Sequence, residues 1–202
     1  MLSLTAEDRA IYLYLRGKGI LKDEEVHRVP MSKGTTLVCC ADGDQFDDLY
    51  ANLASMCLQK MPWPRIHTLT CHGGALIIPT DSPLNKGFRG VNMIEDIVDA
   101  WSMKGTEMVA LYAHAPCGAA TKIGLNLAQI LNNLVMAKLE LKQALLKAGA
   151  ATKVVCLVHI DRGAEEGKRT YFLSAAEWQL LTRHNPIVPG RRWPGQLAKA
   201  AP

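Results

Sequence analysis

The chain predicts a single α/β domain with a mainly parallel central β-sheet flanked by helices, and three observations carry that reading. Short β-prone runs recur at residues 35–40, 65–70, 107–113 and 153–160, and segments with apolar residues at helical spacing separate them. The run at 107–113 is apolar and bounded by Gly105, Pro116 and Gly118, as in a strand buried on both faces. A length of 202 residues, 49% hydrophobic and 21% charged, suits one ordinary globular domain with a full core. That domain is expected over residues 1–184 with an N-terminal helical arm, followed by a Pro-rich tail over 185–202.

Taken in order, a first helix starts after Thr5, a capping residue followed by the acids Glu7 and Asp8, and stops at Gly17 and Gly19. Its apolar side is expected to be Ile11, Leu13, Tyr14 and Leu15, packed on its own domain or on a partner subunit. Residues 20–33, mixed in character and holding Pro30, read as connecting chain. After the strand at 35–40, Phe46, Leu49, Leu53, Met56 and Cys57 mark a helix, and Pro62 and Pro64 end it. The strand at 65–70 leads into Cys71-His72-Gly73-Gly74, an apolar run at 75–78, a loop over 79–90 and a helix over 91–103. One long helix is expected over 121–148, with Ile123, Leu127, Ile130, Leu131, Leu134, Val135, Leu139, Leu141 and Leu145 as its stripe and Gly149 closing it. A strand at 153–160, a polar turn at 162–167, a short run at 170–173 and a helix at 175–182 complete the domain. The tail carries Pro186, Pro189, Pro194 and Pro202 and is expected to be extended and partly mobile.

The net charge of +4 comes partly from Arg183, Arg191, Arg192 and Lys199 near the end, and no dense basic run interleaves with aromatics, so nucleic acid is not an expected partner. No apolar run approaches the roughly 20 residues that span a bilayer, and the N-terminus turns charged too early for a secretory signal. A cytoplasmic protein without membrane contact is the expectation. The six Cys lie in apolar or strand-like surroundings of a chain too long to need disulfide staples, and read as reduced thiols, some of them metal ligands.

The chemistry is expected where strands end. His114 and Cys117 sit in a strand-to-helix turn at the carboxyl end of the run 107–113, the edge where open α/β sheets build their sites. Cys40 ends the run 35–40 in the same way. Two parallel strands would bring Cys40 to the His114/Cys117 pair, and two thiolates with an imidazole suit Zn2+, with Asp42 as a fourth ligand or a partner of bound water. The plainer alternative makes Cys40 and Cys117 core thiols and His114 a hydrogen-bonded turn residue. Cys39 should point to the opposite face, Cys57 belongs to the core, His67 and His159 lie inside strands as hydrogen-bonded residues, and Asp44 is placed to cap the helix near Gln45.

Cys40-Ala41-Asp42, His114-Ala115-Pro116-Cys117-Gly118, more loosely His72-Gly73-Gly74-Ala75, and a terminal strand ending in a turn with Gly167 resemble the β-class carbonic anhydrase family. The order of elements matches over roughly residues 5–182. The resemblance implies a catalytic zinc held by Cys40, His114 and Cys117, with Asp42 holding the zinc-bound water or entering as fourth ligand. It implies reversible hydration of carbon dioxide to bicarbonate by zinc-bound hydroxide, or hydrolysis of a small analogue such as carbonyl sulfide, in a homodimer or higher homo-oligomer. His72, Gly73 and Gly118 would belong to the pocket. One departure stands out. The family has an arginine two positions after the aspartate of its first motif, and here that position is Asp44, which cannot offer the hydrogen-bond fork of a guanidinium. Arg89 is placed to supply a cation from another direction. The departure equally suits a zinc-binding relative without hydratase activity and with a structural or binding role.

Overall fold

The computed structural model describes residues 2–23, 33–184 and 187. Six strands form one sheet: β1 (Leu21–Lys22), β2 (Thr35–Cys40), β3 (Ile66–Cys71), β4 (Met108–Ala115), β5 (Lys153–Asp161) and β6 (Lys168–Leu173), in the order β1-β6-β5-β4-β2-β3. The four from β5 to β3 run parallel, and β6 and β1 add antiparallel strands at one side. The mainly parallel α/β sheet expected from the sequence is present. Every residue of β2 and β4 is buried, which is why those runs carry no polar alternation.

The two faces of the sheet are covered differently. On one, α2 (Phe46–Leu58) lays Leu49, Leu53, Met56 and Cys57 over Leu37, Cys39, Met108, Ala110, Tyr112, Val155 and Leu157. On the other, α1 (Ala6–Gly17), α3 (Arg89–Lys104), α5 (Leu127–Lys147) and α6 (Ala175–His184) build the larger core around Val109, Leu111, Ala113, Val158 and Ile160. The expected positions of Cys39 and Cys57 in the core are both met.

Several expectations need correction. α1 starts at Thr5 as read, its hydroxyl accepting from the Asp8 N–H, but it buries Ile11, Tyr12 and Leu15 while Leu13 is exposed. Ile11, Tyr12 and Leu15 share one face at helical spacing while Leu13 lies on the opposite side, and the Tyr12 hydroxyl meets that of Tyr171 at 2.7 Å. Within the expected connecting chain, Leu21 and Lys22 pair with β6, a ladder too short to carry a pattern of its own. The long helix expected over 121–148 begins only at Leu127, after a separate short helix and a turn. α4 (Gly118–Thr121) ends in a turn with Gly124 at φ 73°, and Asn126 restarts the chain with a capping box to Gln129, so Ile123 falls in the turn and stays partly exposed. The apolar run 75–78 folds as a 3-10 turn, Gly74–Ile77, and Arg89 and Gly90 belong to the first turn of α3 rather than to the preceding loop. β4 extends to Ala115, placing His114 inside the strand. The tail lies outside the described residues except for Ile187. No helix among the described residues is long and apolar enough to cross a membrane.

One packing contact ties this frame to the carboxyl edge of the sheet. Gly74 takes φ 52°, and a Cβ there would lie 2.4 Å from the Cys40 nitrogen and 2.5 Å from the Cys39 carbonyl carbon. Backbone blocks any side chain. Gly74→Ala is expected to lower the unfolding free energy by about 1–3 kcal/mol, read as a lower urea midpoint at constant m-value; an unchanged midpoint would mean that the turn can move off β2.

Candidate metal centre

β2 and β4 are the strands between which the connections reverse direction: β2 continues through α2 to β3 on one side, and β4 continues through α5 to β5 on the other. Ligand sites form at such a switch point, outside the carboxyl ends of the strands. The β2–β4 ladder stops at Val38↔Leu111, whereas β2 stays paired to β3 through Cys40↔Cys71 and β4 to β5 through Ala115↔Ile160. The two strand ends therefore part, and Cys40 from one side faces His114 and Cys117 from the other.

One donor atom from each of Cys40, His114 and Cys117 lies within 4.8 Å of the others, and all three residues are buried. The sequence expectation that distant segments join here is met in position. Both ring nitrogens of His114 are buried without a hydrogen-bond partner among the described residues. Such a nitrogen is costly unless something else satisfies it. The sulfurs are also unlike the other buried thiols. Burial pushes Cys39 and Cys156 up to about 12. Cys117 is instead drawn down to about 4, because the adjacent Cys40 thiol favours its thiolate more than burial opposes it, with His114 and the Ala120 amide adding to the effect. Cys40 moves the opposite way, held protonated by the Cys117 thiolate and by burial. For His114 burial favours the neutral ring, but the Cys117 thiolate and the Asp42 carboxylate outweigh it and the pKa rises. Protons are thus held among three donor atoms that a divalent ion would bind after displacing them. Two thiols and an imidazole are a donor set that could hold a divalent metal ion.

Asp42 borders this group. Its Oδ2 lies 3.8 Å from His114 Nε2, and its Oδ1 accepts the Asp44 N–H at 3.0 Å. The N–H groups of Gln45 and Phe46 both donate to the Asp42 carbonyl, so the turn closes on its own backbone. Asp44 does not cap α2: Gln45 occupies the N-cap without a side-chain bond, and the Asp44 carbonyl accepts Lys168 Nζ at 2.6 Å. Gly73, at φ 92°, donates its N–H to Cys40 Sγ at 3.3 Å. His72 is exposed and its carbonyl accepts the Arg89 guanidinium at 2.8 Å, which directs that cation to the turn and not to Asp42. Gly118 opens α4, and a Cβ there would meet only Leu2 at 3.7 Å.

Sequence reasoning placed His159 as a hydrogen-bonded strand residue but missed the Gln45–Asp161 pair that accompanies it on the α2 face. His159 stands in register with His114 and bonds Thr170 Oγ1 through Nδ1 at 2.9 Å, as a structural strand histidine should. Next to it Gln45 Nε2 donates to Asp161 Oδ2 at 3.3 Å, and both residues are buried. A cleft of about 470 Å³ opens beside them, bordered by Asp48, His159, Lys168 and Thr170. The available signal was the pair of polar residues closing the otherwise apolar run 153–161.

No family model matches the chain, and no curated protein does. Among solved structures it is similar to the carbonic anhydrase of Streptococcus mutans, at 15% identity and TM-score 0.44, covering 86% of this chain and 100% of that one. It is also similar to the β-carbonic anhydrase CafD of Aspergillus fumigatus, at 11% and 0.43, covering 76% and 99%. For β-carbonic anhydrase isoform I of Trichomonas vaginalis the values are 10% and 0.41, covering 82% and 94%. At such distances the chemical assignment rests on the residues themselves.

Burial lowers His159 from 6.5 to about 4, ahead of smaller effects from Asp48 and His114. Between those pH values the unfolded chain binds the extra proton, so this residue's contribution to stability falls as pH drops from about 6.5 towards 4. His159→Gln is expected to flatten that acid limb of the urea midpoint while lowering the midpoint at neutral pH; an acid limb of unchanged slope would assign it to other groups.

Proposed function

We propose that this chain is a zinc-dependent, carbonic anhydrase-like enzyme catalysing reversible hydration of carbon dioxide to bicarbonate. The observation that carries the proposal is the convergence of Cys40, His114 and Cys117 donor atoms within 4.8 Å, next to Asp42. When bound, zinc supplies a Lewis acid able to bring the pKa of water from about 16 to about 7. Cys40, His114 and Cys117 would hold it. Asp42 Oδ1 is fixed by the Asp44 amide, and Oδ2, 3.8 Å from His114 Nε2 and accepting no hydrogen bond among the described residues, is the oxygen that would orient the attacking water. The buried walls around Cys40 and Cys117 limit bulk water at the reacting centre. The reading extends to a cytoplasmic homodimer or higher oligomer acting on a small molecule, carbon dioxide or an analogue such as carbonyl sulfide.

A second reading, a zinc-binding relative without hydratase activity, is favoured by one specific observation. Asp44 stands where the resembling family has its arginine, and no Lys or Arg among the described residues bonds Asp42.

Metal analysis and stopped-flow assays with carbon dioxide and carbonyl sulfide separate these readings. Purified protein is expected to carry about one zinc per chain, by the three-ligand rule for catalytic sites, and zinc should raise Tm in the wild type but not in Cys117→Ser. Asp42→Asn is expected to keep the metal and lose hydration by about 100-fold. Zinc-replete protein with neither activity, and none created by Asp44→Arg, would favour the second reading; protein that takes up no metal would overturn both.

A further inference from the structure

We infer that Lys168, together with the Gln45–Asp161 pair, positions the turn that carries Asp42, a task for which this chain has no arginine at residue 44. The inference rests on the proposed metal centre. Bonds inside the turn shape it: the Asp44 amide to Asp42 Oδ1, and the Gln45 and Phe46 amides to the Asp42 carbonyl. They do not say where the turn sits relative to His114 and Cys117. On the β3 side the Ala41 amide donates to the Cys71 carbonyl. Among the described residues, the other hydrogen bonds that tie the turn to a neighbouring element come from the β5–β6 hairpin.

Asp161 and Lys168 are the facing pair that ends that hairpin. Lys168 Nζ donates to the Asp44 carbonyl and to Asp48 Oδ2, both at 2.6 Å, and so joins the last part of the turn to the first turn of α2. Asp161 takes the Gly163 amide on Oδ1 at 3.0 Å and the Gln45 side chain on Oδ2. Gln45 is 5% and Asp161 7% exposed, so water offers little replacement for that bond. In the strand order, β4 lies between β5 and β2. The contacts from hairpin to turn therefore bridge across the end of the strand that carries His114. One cation on β6 thereby sets the distance between Asp42 and the three donor residues.

The test uses Lys168→Met, with Lys168→Arg as the conservative rescue and Gln45→Leu as a second probe. In Lys168→Met, amide hydrogen exchange over residues 41–46 is expected to rise about tenfold, the scale of one lost charged hydrogen bond, with α5 unchanged. In cobalt-substituted protein the visible spectrum and its response to added thiocyanate should change, because a released Asp42 competes for the open position. Hydration kcat should fall more than KM changes, and Lys168→Arg should restore all three readouts. Unchanged exchange and an unchanged cobalt spectrum in Lys168→Met would overturn the inference, as would faster exchange spread equally over α5. If the wild type binds neither cobalt nor zinc, the proposed function fails, while exchange over 41–46 still decides whether Lys168 holds the turn.

Discussion

Parallel pairing of β2 with β4 is the constraint on which the site depends. Four ladder positions, Thr35↔Met108 to Val38↔Leu111, align two strands whose apolar residues leave no alternative but full burial. A one-residue slip would turn Cys40 to the α2 face and Cys39 towards the larger core, exchanging the two thiols. Register here is chemistry. Beyond Leu111 each strand follows its other neighbour, and the gap that results holds the donor atoms.

The electrostatics of that gap explain why the group is a poor piece of ordinary core. Cys40, His114 and Cys117 are all buried, and neither ring nitrogen of His114 makes a hydrogen bond among the described residues. Unpaired polar atoms in such a place are expensive. A divalent ion would relieve the cost by taking the sulfurs and a ring nitrogen as ligands, and metal affinity and folding stability would then be two readings of the same free energy. Gly73 and Gly74 complete the frame from the β3 side, one donating to Cys40 Sγ, the other letting the turn press on β2.

The α2 face gives the centre its second boundary. Two buried polar pairs, Gln45–Asp161 and His159–Thr170, lie on this face, and at the surface beside them Lys168 bonds Asp48 and the Asp44 carbonyl. The Gln45–Asp161 pair specifies one arrangement of the hairpin against the β2–α2 turn, because a displaced member leaves its partner unsatisfied. Asp44, a departure from the resembling family when read in isolation, contributes its backbone carbonyl to the Lys168 contact.

By itself the sequence determined the elements whose evidence is local. β4 announced itself by a continuous apolar run, α1 by Thr5 and its acids, and the donor trio by residue types at two strand ends. Tertiary structure decided whatever depends on distant partners. The hydroxyl of Tyr171 supplied the partner that lets the Tyr12 hydroxyl be buried, and the two residues of β1 pair only because β6 lies beside them. Gly124 and the Asn126 capping box overrode an unbroken apolar period. Arg89 was directed to a backbone carbonyl, and Lys168 was brought to Asp44 from 124 residues away. Periodicity reports which face a residue takes; which charge it meets there is set by the folding of chain that is remote in sequence.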